Sequence, residues 1–404
     1  MRPSFTIIGI DDSSSPCFAP EVLGRIGKGS VFSGGSRHHD IVKPLLPSSH
    51  KWITVTVPLA DVFKRYREEF EGGCDNIVVF ASGDPLFFGF ANTVMREMPE
   101  AALRLYPSFN SLQLLAHRIP VRYDDMRIVS LTGRPWNELD RVVIERAPKI
   151  GVLTDRRNTP AAIADRLLEF GYTAYTMYVG ERLGNATLER VRRLSLDEAR
   201  TAEFDMPNCV MLCAEGENGA GVRPFGIPDD AFELLDGRRR MITKMPIRLL
   251  SLQALELSHR SVMWDVGFCT GSVSIEARLL FPAVKVFSFE IRPDCEEIMH
   301  VNTRRFGTPG IEMFIGDFME TDLSAIPSPD AVFIGGHGGR LNDMLGRINE
   351  RLLRGGCVVF NSVSDESRTM FEAACRDYGL VLLEPMHLKL NDYNAITIMK
   401  AVKV

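Results

Sequence analysis

Apolar residues in the first half of the chain gather in short runs of strand length: FTIIGI at 5–10, NIVVFAS at 76–82, LRLYP at 103–107, RIVSL at 127–131, KIGVLT at 149–154 and YTMYVG at 175–180. Between several of them the spacing changes to a helical one. PAAIADRLLEFG at 160–171 is an example, with Pro160 suited to a first turn and Gly171 to a stop. Strands separated by helices imply mainly parallel sheets with helical cover. NCVMLCA at 208–214 is followed by EGENGAGVRPFGIPDD at 215–230, rich in Gly, Pro and acid, which reads as a linker. A second alternation then begins with SVMWDVG at 261–267 and runs through VKVFSFE, EMFIGD, AVFIGG, GCVVFNS and YNAITIMK, ending at 400. The expected organisation is therefore two α/β domains, 1–221 and 222–404.

Length and composition agree with that division and remove several classes. The chain has 404 residues, 45% hydrophobic and 25% charged, enough for two or three cores and too balanced for a disordered or membrane protein. A net charge of −5 lacks the broad positive field that sequence-independent nucleic-acid binding uses, so no nucleic-acid partner is expected. Basic clusters such as RRRMITK at 238–244 remain available for an acidic small molecule. The eight cysteines have no CxxC spacing and read as thiols of a reducing cytoplasm, with no metal site. FTIIGI is too short for a signal sequence and no run reaches the length of a membrane span, so the expected location is cytoplasmic, away from membranes.

The turn after the first strand of the second half carries candidate chemistry. WDVGFCTGSVSIEA at 264–277 reads as strand, tight turn and helix, without the GxGxxG of a dinucleotide site. From Asp265 it has the outer glycines, Gly267 and Gly271, of the D-x-G-x-G-x-G loop of S-adenosylmethionine methyltransferases, with Cys269 at the middle position and Ser272 opening the helix. Glu290 ends the next strand, where a carboxylate can accept both hydroxyls of a ribose. Asp317, after Gly316, follows a third strand. The ordered series Asp265, Gly267, Gly271, Glu290, Asp317 points to a nucleoside site. A nicotinamide oxidoreductase is set aside because its glycine pattern is missing.

These segments, together with MITKMPIRLLSLQALEL, FSFEIRPD and AVFIGGHGGRLNDMLGRINERLLRGGCVVFNSV, resemble the C-terminal half of the precorrin-6Y C5,15-methyltransferase (decarboxylating) family of cobalamin biosynthesis. FIGGHGG, at 333–339, is the most distinctive of them, and its glycines, Gly335 among them, have a physical reason if a flat macrocycle lies opposite the methyl donor. In the first half NIVVFASGDPLFFGFA resembles the Gly83-Asp84-Pro85 turn of the tetrapyrrole methylase family, and FSGGSRH, YPSFNSLQLLAHR, VSLTGRP and VGERLGNATLERV follow in that family's order. The resemblance implies a two-lobed tetrapyrrole methylase fold followed by a Rossmann-like class I methyltransferase domain, S-adenosyl-L-methionine as cofactor, a precorrin-type substrate and a homo-oligomer. It implies methylation at carbon 5 by the first domain, and methylation at carbon 15 with loss of the ring C acetate carboxyl by the second.

Three departures from the pattern matter. Cys269 replaces a glycine, and His337 stands where the family often has a small residue; His337 is either an acid or base facing a substituent or a partly exposed loop histidine. The loop after the first strand reads GIDDSSSPCFAPE at 9–21 in place of a GxGPG-like sequence. Either it is rebuilt with Asp and Ser contacts, or this half handles the donor differently. Carboxylate-binding candidates are Arg37, Arg118 and Arg134 in the first half and Arg248 and Arg340 in the second. Thr243 and Lys244 occupy the short Thr-Lys segment that the resemblance brings near the cleft, which makes Thr243 a candidate cofactor contact and Lys244, with His337, a catalytic candidate. Rival readings are a methyltransferase acting on RNA through the second half and a tetrapyrrole-binding protein without turnover.

Overall fold

A computed structural model describes residues 2–215, 225–238, 240–390 and 394–404. Two compact units divide the chain: Met1–Arg134 with Pro148–Asp165 and Ala174–Glu215, and Pro135–Ala147 with Arg166–Thr173 and Gly216–Val404. The boundary read from the sequence near residue 222, and most of the linker before it, lie outside the described residues. Two segments placed by sequence in the first domain belong to the second unit. There the buried Asp140 receives Arg166 through two hydrogen bonds of 2.6 and 2.7 Å, and the Tyr172 hydroxyl donates to the Gly307 carbonyl at 2.7 Å.

The first unit opens with five parallel strands: β1 Ser4–Ile10, β2 Val31–Gly34, β3 Lys51–Thr54, β4 Asn76–Ser82 and β5 Ala102–Tyr106, in the order β3-β2-β4-β1-β5. Their apolar runs are continuous because both faces are covered. Phe5 and Ile7 of β1 enter one core and Ile8 and Ile10 the other. A second sheet follows, formed by β6 Arg127–Ser130, β7 Lys149–Leu153, β8 Tyr175–Glu181, β9 Arg190–Leu194 and β10 Asn208–Ala214, in the order β6-β7-β10-β8-β9. Here the expectation of mainly parallel strands needs correction, since only β6 and β7 run parallel. No crossover helix separates β8 from β9, so the chain turns directly back on itself, as an antiparallel pair permits.

The second unit holds β11 Val262–Val266, β12 Lys285–Glu290, β13 Ile311–Ile315, β14 Ala331–Ile334 and β15 Cys357–Ser362 as parallel strands. β16 Val381–Leu382, β17 Met386–Leu388 and β18 Ile396–Val402 complete the sheet, with β18 antiparallel to β15. The order β13-β12-β11-β14-β15-β18-β16 reverses direction at β11. A reversal of this kind opens a crevice at the carboxyl ends of the strands. Every strand anticipated in this half is present; β16 and β17 are too short to leave a periodic signal. All eight cysteines are free thiols, five of them buried. No helix among the described residues is long and apolar enough to cross a membrane.

The end of β1 is the tightest point of the first unit. A Cβ on Gly9 would lie 1.9 Å from the Gly83 carbonyl oxygen and 2.7 Å from the Ser108 nitrogen, all backbone. Gly9→Ala is expected to cost about 3 kcal/mol, the upper part of the overpacking range. Gly24→Ala, on the exposed face of helix Pro20–Lys28 where an added Cβ meets nothing within 4 Å, is expected to stabilise by up to about 1 kcal/mol. Urea unfolding curves of the two variants check both signs.

Candidate active sites

In the second unit β11 delivers Asp265 and Val266 to the crevice, and the chain turns through Gly267 and Gly271 into helix Ser272–Leu280. Both glycines have positive φ, +83° and +75°. A side chain on Gly267 would strike the Gly336 nitrogen at 2.7 Å, and one on Gly335 the Gly267 oxygen at 2.7 Å, so the loops after β11 and β14 touch backbone to backbone. A Cβ on Gly271 would meet the Met299 sulfur at 2.0 Å. Cys269 takes a left-handed conformation, φ +52°, that favours glycine, with its side chain buried beside Ile275 and Met299.

Glu290, at the end of β12, is 3% exposed and fully engaged. Its Oε2 accepts the Cys269 N–H at 2.9 Å and Arg292 Nη2 at 2.7 Å; its Oε1 accepts the Arg292 N–H at 3.1 Å and Arg292 Nε at 2.9 Å. Burial opposes ionisation of this carboxyl, but these donors hold its pKa below the ordinary value. Asp265 is the opposite case. Its Oδ2 accepts the Ser274 hydroxyl at 2.5 Å while the buried Oδ1 has no partner, and burial raises its pKa to about 7, with the Glu290 charge adding to the effect. Thr270 Oγ1 is likewise buried without a partner.

These groups surround a cavity of about 530 Å³, within the range of small-molecule sites. Thr243, Asp265, Gly267, Ser272, Glu290, Asp317, Gly335 and His337 all line it. Gly271 does not; it shapes the turn behind. Asp317 accepts Arg340 Nη2 at 2.6 Å and the Met319 N–H at 2.9 Å, so the Arg340 fork reaches across from the GGHGG loop. His337 Nδ1 accepts the Gly339 N–H at 3.2 Å, its ring packs edge-on to Phe360, and burial lowers its pKa. Ile291, next to Glu290, is 57% exposed and also lines the cavity, offering an apolar platform beside a carboxylate. Nothing in its sequence context marks it, since only the end of a strand turns such a residue outward.

Two expectations change. Lys244 is outside the cavity lining and its ammonium lies 3.7 Å from Asp229. Arg248 is fully buried, donating to Glu276, to Asp229 at 3.3 Å and to the Thr243 and Ile227 carbonyls at 2.7 and 2.5 Å. It is a structural ion-pair centre and cannot grip a substrate carboxylate.

The first unit has its own cavity, about 460 Å³, between the strand ends of its two sheets. Gly83 lines it at φ +61°, with space for a Cβ closed by the Asn110 Cα at 2.8 Å. Asp84 and Pro85 stand behind the lining; Asp84 Oδ1 caps the turn by accepting the Leu86 N–H at 2.8 Å. The departing loop is built around Asp12, 4% exposed, which accepts Arg37 Nη1 at 2.6 Å and Arg182 Nε at 2.9 Å. Arg37 and Arg134 line the cavity, Arg134 over the Phe88 ring at 4.9 Å. Arg118 does not, being forked onto Glu189 at 2.5 and 3.2 Å.

The second-unit cavity has the features of a nucleoside site. A carboxylate stands at the end of the second strand, an apolar platform lies beside it, and the same space is lined by Asp265 and Thr270, each with a buried oxygen that has no partner. The helix that begins there has no side-chain cap at Gly271. An α/β fold with this turn at its switch point is of the class that receives nucleosides and nucleotides at its strand ends.

Comparison with known families narrows this class. Residues 23–200 match the model for tetrapyrrole (corrin/porphyrin) methylases and residues 231–402 the model for the precorrin methyltransferase domain. The chain is 30% identical over 372 residues to a precorrin-6Y C(5,15)-methyltransferase (decarboxylating) of Sinorhizobium, a match covering 91% of this chain and 86% of that protein. It is also similar to two shorter proteins of Salmonella typhimurium. One is a cobalt-precorrin-6B C(15)-methyltransferase (decarboxylating), 33% identical over 39% of this chain and 80% of that protein; the other is a cobalt-precorrin-7 C(5)-methyltransferase, 26% identical over 51% and 98%. The chain belongs to the precorrin-6Y C(5,15)-methyltransferase (decarboxylating) family.

The raised pKa of Asp265 has a definite consequence for stability. The folded chain keeps a proton that the unfolded chain releases near 3.8, so the stability contributed by the neutral carboxyl is complete below 3.8 and lost as pH rises through about 7. Asp265→Asn removes this titration. Its unfolding free energy, measured by denaturant titration from pH 4 to 8, is expected to vary less with pH than that of the wild type.

Proposed function

We propose that this chain methylates a precorrin-type macrocycle at carbons 5 and 15, with S-adenosyl-L-methionine as donor, and removes carbon dioxide from the ring C acetate. The observation that carries this reading is the presence of two separate cavities, one in each unit, each framed by glycine turns at the carboxyl ends of parallel strands. One cavity would serve one methylation. We assign carbon 5 to the first unit and carbon 15, with decarboxylation, to the second.

When bound, the donor supplies a methyl group already activated by the sulfonium charge. The protein holds and aligns. In the second unit Glu290 takes the ribose hydroxyls, Ile291 underlies the base, and Asp265, Thr270 and the first turn at Ser272 meet the polar tail. Gly335 and Gly336 keep the opposite wall at backbone height; an added Cβ on Gly336 would meet nothing within 4 Å, which leaves room for a flat ring. Such alignment can lower a bimolecular barrier by roughly 7–11 kcal/mol. Because Nδ1 of His337 accepts a backbone N–H, its neutral ring carries the proton on Nε2, and it can donate a hydrogen bond to a substituent of the macrocycle. Arg340 and Arg240, which both line this cavity, supply charge for the substrate's carboxylates. Lys244 has no part in this scheme. Electrons released by loss of carbon dioxide pass into the conjugated ring, and the new carbon centre takes up a proton.

In the first unit Gly83 gives the backbone approach and Arg37 and Arg134 face the substrate's carboxylates. The Asp12 ion pairs replace the usual loop as its scaffold. We place the reaction in the cytoplasm, in keeping with eight free thiols.

The test is a single-turnover assay with the full chain, the reduced macrocycle and isotopically labelled donor, read by product mass. Wild type is expected to yield a product that has gained two methyl groups and lost one carbon dioxide. Glu290→Ala is expected to lower kcat/KM for the second unit's methylation and decarboxylation by roughly 100-fold, about 2.7 kcal/mol. Absence of S-adenosylhomocysteine release by the wild type would overturn the assignment.

A further inference from the structure

Ser82, the last residue of β4, is exposed on the rim of the first-unit cavity. Two donors converge on its hydroxyl oxygen: Arg37 Nη2 and His38 Nε2, each at 2.9 Å. The direction of the second bond is set on the far side of the imidazole. The Gly35 N–H points at His38 Nδ1 at 3.2 Å, which places the proton of a neutral ring on Nε2, where the Ser82 oxygen at 2.9 Å is the nearer neighbour and Arg37 Nη2 stands off at 3.4 Å. The ring is neutral at physiological pH, since burial first and the Arg37 charge second lower its pKa to about 4. A hydroxyl oxygen has two lone pairs and one proton. With both lone pairs occupied, Ser82 has only its proton left to offer, and the open side is the cavity.

Arg37 is held in the same frame. Its Nη1 donates to Asp12 Oδ1 at 2.6 Å, and Asp12 Oδ2 accepts Arg182 Nε at 2.9 Å, so one buried carboxylate faces two guanidinium groups. The Arg37 side chain remains 33% exposed, and only two of its five N–H donors are committed to these acceptors. Asp11 also lines this cavity; its Oδ1 accepts the Ser13 N–H at 2.9 Å, and its carboxyl carbon lies against Gly184. A donor hydroxyl and spare N–H groups of an anchored cation, side by side on a cavity wall, match the two oxygens of a carboxylate.

We propose that Ser82 and Arg37 form a carboxylate-binding subsite of the first unit, with His38 as the positioning residue that keeps the Ser82 hydroxyl a donor. This rests on the reading that the cavity takes a methyl donor and a macrocycle. Both bring carboxylates, one on the methionine tail and several on the ring's acetate and propionate arms.

Isothermal titration of the full chain with uroporphyrin, a flat polycarboxylate, and separately with S-adenosylhomocysteine tests the subsite and tells the two sources apart. Ser82→Ala is expected to weaken one of the two ligands about tenfold. Loss confined to uroporphyrin assigns the subsite to a ring arm, and loss confined to the first-unit step of the S-adenosylhomocysteine isotherm assigns it to the methionine tail. His38→Gln, which keeps an N–H donor near the Nε2 position, is expected to retain affinity. His38→Leu, which frees the hydroxyl to turn inward, is expected to lose several-fold. In turnover, Ser82→Ala is expected to raise KM for the affected ligand with kcat little changed, a split that a folding defect would not produce. Equal affinity of wild type and Ser82→Ala for both ligands overturns the subsite while leaving the functional reading intact. If the wild type takes up neither ligand, the reading of this cavity fails and the subsite with it.

Discussion

Both cavities depend on backbone meeting backbone. Where Gly267 faces Gly336, and where Gly9 faces Gly83, the space that a single methyl group would need is already filled by peptide atoms of the neighbouring loop. Contacts of this kind draw the strand ends together and leave loops that follow as thin, rigid walls. A cavity with walls one peptide thick can admit a bulky, flat ligand without a large opening in the core. The fold therefore has no room for a side chain at Gly9, Gly83 or Gly267, and the residues flanking Gly9 and Gly267, Ile8, Ile10, Val266 and Phe268, are themselves buried in the core.

A second feature common to the two units is the way carboxylates are kept. Asp12, Glu290 and Asp317 each lie on or beside a cavity, and each is matched by an arginine. An unpaired carboxylate in such a place would shift toward its neutral form, as Asp265 does. Pairing fixes the others in direction, and at Glu290 and Asp317 it holds the carboxyl below its ordinary pKa. The loop GIDDSSS illustrates the point: in place of a glycine and proline turn it uses a buried aspartate with two guanidinium partners to hold its course.

Much of this was legible in the chain. The apolar runs located the strands, and the ordered series Asp265, Gly267, Glu290 and Asp317 located one cavity, because each residue stands at a strand end and strand ends show as breaks in hydrophobicity. What escaped detection depended on neighbours distant in sequence. The antiparallel course of β8, β9 and β10 follows from a missing crossover, and β9, RVRRL, is too polar to read as a strand. Arg248 resembles a ligand-binding arginine until Glu276 and Asp229 are seen around it. Gly335 looked like space made for a ring, and part of its role is to let Gly267 pass. Ser82, in a common strand-end position, acquires its character only from Arg37 and His38.

Glu290 shows what such completeness implies for recognition. All of its acceptor directions are filled before any ligand arrives. A ribose that binds there must exchange places with an existing donor, most readily the partly exposed Arg292 side chain, so the tally of hydrogen bonds on the carboxylate stays level. On the proposed reading, selectivity among nucleosides at this position becomes a contest between two forks, a diol and a guanidinium, in which a sugar lacking either hydroxyl competes less well.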